Sequence, residues 1–66
     1  MSAVTTPAER LVILAKGLAP AIAADVLSIH AAEVELLKRS LSIPFATIAD
    51  QLQVFAECMR IVRGEA

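Results

Sequence analysis

Two side chains in this sequence have reactive chemistry near neutral pH: the imidazole of His30 and the thiol of Cys58. A nucleophile needs a base within hydrogen-bond reach and a third group to orient that base. His30 and Cys58 are the sole residues of their types and fall on different expected helices. The nearby carboxylates Glu33 and Glu35 are two positions apart, so on a helix they face different directions. The only glycines, Gly17 and Gly64, stand at expected helix ends and make no phosphate-cradling loop. One cysteine allows no internal disulfide, and His30 with Cys58 lacks the second pair of ligands a zinc site needs. These residues predict a non-enzyme with no metal and no cofactor.

A second kind of chemistry is phosphate contact. Lys38, Arg39, Arg60 and Arg63 are the candidates for nucleic-acid binding. All four also sit near expected helix C-termini, where basic residues complement the helix dipole. The formal net charge of -1 and pI near 5.6 argue against binding through bulk charge. Thr47 to Val54 has the look of the first helix and turn of a helix-turn-helix. Gln53 then stands where such turns favour glycine, and the reading helix would carry Phe55, Cys58, Met59, Ile61 and Val62. That face is too apolar for a groove.

The most specific pattern is apolar. Ile48, Leu52, Phe55, Met59 and Val62 recur at 4-3-4-3 spacing, the a/d stripe of a coiled coil. We expect this stripe to be an interface with a second copy or a partner helix, with Phe55 as its anchor.

The elements that would position these residues are all helical. Thr6-Pro7-Ala8-Glu9 has a threonine N-cap, proline at N1 and glutamate at N3, and predicts a helix from Pro7 to Lys16 stopped by Gly17. An alanine-rich helix with Ala21, Ala23 and Ala24 is expected from near Pro20, with a break at Ser28-Ile29-His30. A third helix runs from Ala31 to about Ser40, with Val34, Leu37 and Leu41 on one face and Glu35 before Lys38 and Arg39. Pro44 interrupts it. The last helix begins between Phe45 and Thr47, where Thr47 is a cap, and ends at Arg63 before Gly64. The expected fold is all-α: one compact domain over residues 1–66, a bundle of three to four short helices whose last, amphipathic helix lies at an oligomer interface.

Size sharpens that expectation. With 66 residues, 58% of them apolar, and mean hydropathy +0.70, the chain is too hydrophobic for disorder and too short to hide so much apolar surface. Without disulfide or metal, oligomerisation is the remaining means of stabilising so small a fold, and a homodimer is favoured. Arg10, Lys16, Asp25, Glu33, Asp50 and Glu57 break up every run long enough to span a membrane. Leu11 to Ala15 followed by Ala21-Ile22-Ala23 imitates a signal sequence, but Glu9, Arg10 and Lys16 spoil the imitation, so a cytoplasmic protein is expected.

From Gly17 to Ile43 the chain resembles FlhD, a subunit of the bacterial flagellar master transcription regulator. The likeness rests on Gly17, Ile22-Ala23, Val26, Ile29, Val34, Leu37 and Ile43, with Leu52-Gln53-Val54 matching a later helix. It implies a bacterial all-α homodimer that joins a second protein to control transcription. Pro44-Phe45-Ala46-Thr47 replaces the family's cysteine- and arginine-bearing segment, so no DNA-contacting residue carries over. The expected function is a small self-associating regulator acting through a protein partner; an assembly adaptor with no nucleic-acid role is the alternative.

Overall fold

The computed structural model describes residues 5–22 and 25–65, which form three helices and no strand. Helix α1 spans Pro7–Ile22, α2 Val26–Ser42 and α3 Ile48–Arg63. Ala8 shares a cleft with Val54, and Ala19 shares another with Val62, so α1 and α3 run parallel. Leu14 lies beside Ile43, which makes α2 antiparallel to both. The bundle is all-α, packed up-down-up, and measures 33 × 30 × 19 Å. Each helix packs on the other two, so the three enclose one small core.

The caps at Thr6, Thr47 and Gly64 are as expected. Thr6 Oγ1 accepts a hydrogen bond from the Glu9 N–H at 3.1 Å, and Thr47 Oγ1 accepts one from the Asp50 N–H at 3.0 Å. Gly64 adopts φ 77°, a left-handed conformation that lets its N–H reach the Ile61 carbonyl and that of Glu65 reach Arg60. Ile43, held extended by the following proline, closes α2.

Two boundaries differ from the sequence expectation. Gly17 does not stop α1, and the helix continues through Pro20 to Ile22. Leu11, Ala15, Leu18 and Ile22 follow 4-3-4 spacing, and all four enter or pack on the core. Ending at Lys16 would leave Leu18 and Ile22 off that stripe. Burying them outweighs the roughly 1 kcal/mol cost of a helical glycine, and Pro20 disturbs only the last turn.

The expected break at Ser28-Ile29-His30 does not exist either. Those residues are the first turns of α2, so the separate helix starting at Ala31 merges into it. The cap is Asp25: its Oδ1 accepts from the Leu27 N–H at 3.0 Å and its Oδ2 from the Ser28 hydroxyl at 3.2 Å. Ser28 therefore belongs to a start signal rather than a stop. Of the alanines expected to build a helix near Pro20, Ala21 lies in the last turn of α1, while Ala23 and Ala24 lie outside the described residues.

The core is small. Leu11, Ala15 and Ile22 of α1 meet Ala32 and Leu36 of α2 and Cys58, Met59 and Val62 of α3. Gln51 fastens α3 to α2 by donating from Nε2 to the Ser40 carbonyl at 2.9 Å. No buried side-chain nitrogen or oxygen among the described residues lacks a partner. None of the helices is long and apolar enough to cross a membrane.

Candidate functional site

The stripe on α3 is divided by the fold. Its second half, Met59 and Val62, is buried in the chain's own core. Phe55 is half-buried and packs against the same cluster. Its first half faces outward: Ile48 is 74% exposed and Leu52 62%. At about 100° per residue Ile48 lies at nearly the same angle as Met59 and Val62, so its exposure marks where the other helices stop covering α3.

The larger apolar surface lies on α2. Leu27 is 79% exposed and Leu41 72%, with Val34 and Leu37 also open to solvent. Together with His30 these residues stand at positions 27, 30, 34, 37 and 41, a 3-4-3-4 run along one helix face. The core-facing residues of α2 are Ile29, Ala32, Leu36 and Ser40. At about 100° per residue, the outer stripe is centred about 135° round from that inner one. Helix α2 is therefore apolar on two faces, and the fold uses one of them.

These two exposed segments meet. Leu41 and Ile48 line the same groove, together with Ile43 and Gln51. Farther along, Arg63 of α3 approaches Glu33 of α2, Nη2 to Oε2 at 3.8 Å, so the flanks of the two helices adjoin over much of their length. The outcome is one apolar surface running from Leu27 along α2 to Leu41, and across to Ile48 and Leu52. A folded chain of 7.0 kDa is expected to expose about 4,000 Å². This one exposes 4670 Å².

The groups able to do chemistry are kept apart. His30 is exposed, with Nδ1 3.8 Å from Glu33 Oε1. Cys58 is fully buried, and that burial, helped by the charge of Glu57, pushes its thiol pKa up. A buried thiol of raised pKa is a poor nucleophile. No cluster of metal-ligating side chains occurs among the described residues.

The four basic residues do not form one patch. Helices α2 and α3 are antiparallel, so Lys38 and Arg39 lie near one end of the pair and Arg60 and Arg63 near the other. Arg39 is engaged by Glu35, Nε to Oε1 at 3.0 Å, and Arg63 by Glu33. Comparison with protein-family models, with curated proteins and with solved structures gives no match.

The sequence reading found Ile48 and Leu52 and grouped Val34, Leu37 and Leu41, but it did not join them into one surface. The expected break at Ser28-Ile29-His30 hid the run that begins at Leu27. The 3-4-3-4 spacing, read across that break, was the available signal.

Proposed function

We propose that this chain is a helical association module that forms a homodimer through α2 and the first turns of α3, and acts by holding a protein partner. The carrying observation is the continuous exposed apolar surface of Leu27, Val34, Leu37, Leu41, Ile48 and Leu52. Isolated exposed leucines are ordinary; a contiguous surface at heptad spacing is the mark of an interface.

The protein partner has a place of its own. A cleft between α1 and α2, lined by Arg10, Ile13, Leu14, Arg39 and Ile43, lies on a different side of α2 from the dimer stripe. Its apolar floor, with Arg10 at the rim, suits an amphipathic helix carrying an acidic residue. The likeness to FlhD directs such a dimer to transcription control through that partner. The neutralisation of Arg39 and Arg63 by glutamates favours protein over DNA as the direct ligand.

Sedimentation equilibrium tests the dimer: the mass should rise toward twice 7.0 kDa across the micromolar range. A single-chain mass at every concentration would overturn the reading. Direct DNA binding that falls steeply with salt and weakens on Arg60→Ala would replace the adaptor with a DNA-contacting regulator.

A further inference from the structure

The outer face of α2 carries charge as well as apolar side chains, and the charges select one way of pairing. Lettering the run as a heptad places Leu27, Val34 and Leu41 at a, and His30 and Leu37 at d. Glu33 then falls at g and Lys38 at e. These two positions are five apart, the separation at which g of one helix meets e of the other in a parallel pair.

We propose that two copies pair in parallel along α2, about a two-fold axis, with Glu33 of each copy against Lys38 of the other. This rests on the dimer proposed above and adds its orientation and register. The antiparallel registers that keep a and d in contact set Glu33 either against its own counterpart or against Ser40, and neither attracts. The parallel register makes two ion pairs by symmetry.

Glu33 stands at the edge of the seam. Its carboxylate is held between His30 and Arg63, each at 3.8 Å, on the flank of α2 where α3 lies. Lys38 is exposed and enters no ion pair of its own chain among the described residues. Helix α3 of each copy would then flank α2 of the other, and the exposed Ile48 and Leu52 would cover that helix's e edge.

In this register His30 is opposite His30 of the second copy. A polar residue at one seam position fixes register at some cost in stability, a cost that an all-leucine seam would avoid.

Orientation is tested by cross-linking. His30→Cys changes an exposed position, and the native Cys58 stays shielded in the core, so the parent chain is the control. Under mild oxidation His30→Cys should convert to a disulfide-linked dimer while the parent does not. Charge reversal is the second measurement. Lys38→Glu should weaken self-association by about five-fold, and mixing it with Glu33→Lys should recover a heterodimer as tight as the parent.

A chain that is dimeric by sedimentation but gives no His30→Cys cross-link overturns the parallel register and leaves the dimer standing. Indifference of a dimeric chain to Lys38→Glu also overturns that register. A chain monomeric throughout defeats the dimer itself.

Discussion

Replacing Leu41 with lysine separates the fold from the interface. Leu41 is 72% exposed in the single chain, so the fold uses little of it. Full burial of a leucine is worth about 2–3 kcal/mol, of which the remaining exposed share is about 1.5–2 kcal/mol. Symmetry applies the loss twice, giving about 3–4 kcal/mol per dimer, or a Kd weakened by roughly a hundred- to a thousand-fold. The single chain should barely respond. Lysine has nearly the helix propensity of leucine, and a cation in the last turns of α2 gains about 0.3–1 kcal/mol from the helix dipole. Sedimentation equilibrium and far-UV circular dichroism are the paired assays. The expected result is a monomer of unchanged helicity. A dimer retained at parental affinity would show that the surface around Leu41 is not the interface, whatever the exposure of its residues.

Four further substitutions test the reasoning elsewhere. Gly17→Ala should stabilise the chain by about 1 kcal/mol in denaturant titration, because the helix is continuous there and nothing lies within 4 Å of an added Cβ. Gly64→Ala, equally uncrowded, should instead destabilise it by about 1 kcal/mol, since φ 77° is unfavourable for alanine. Phe55→Asp should lower the thermal midpoint and helicity together with the dimer, because the ring packs on the core; intact helicity would mean that the core does not need it. Cys58 gives a pH dependence. Burial raises its folded-state thiol pKa above the unfolded one, so the associated stability is complete below the unfolded value and is lost as pH rises through the folded value. Urea midpoints should therefore decline above about pH 8.5 more steeply for the parent than for Cys58→Ala. Parallel pH curves would remove the thiol from the account.

Local chemistry was legible wherever one residue decides the backbone. Thr6, Thr47 and Gly64 acted as read, because a hydroxyl acceptor or a left-handed glycine works through its immediate neighbours. Gly17 and Ser28 were misread for the opposite reason. Each is a weak local signal set against a stripe of core residues, and the stripe prevails when it is buried. The inner stripe from Leu11 to Ile22 passes straight through Gly17 and Pro20. The cap at Asp25 turned Ser28 from a breaker into a partner of the first turn. The division of the α3 stripe was beyond the sequence altogether, because it depends on how far α1 covers α3.

The small size of the bundle explains why so much apolar surface stays outside. Three short helices packed on one another can each bury about one face, and α2 is the helix with two apolar faces. Its inner face is made of small or modest side chains, Ala32, Ser40 and Ile29 around Leu36. The outer face holds the larger set, Leu27, Leu37 and Leu41 with Val34. A monomer selected for its own stability would place the leucines inward and the alanine and serine outward. The observed distribution keeps Leu36 inward but sets three leucines outward, and it follows if the small inner residues Ala32 and Ser40 allow close approach of α1 and α3 while the large outer ones serve a second copy. On that view, exchanging Ala32 for leucine to enlarge the core should destabilise the chain by about 1–3 kcal/mol through overpacking. Removing an outer leucine should cost the monomer almost nothing. Equal thermal penalties for Ala32→Leu and Leu41→Lys, measured at concentrations where both variants are monomeric, would mean that the outer face belongs to the fold after all.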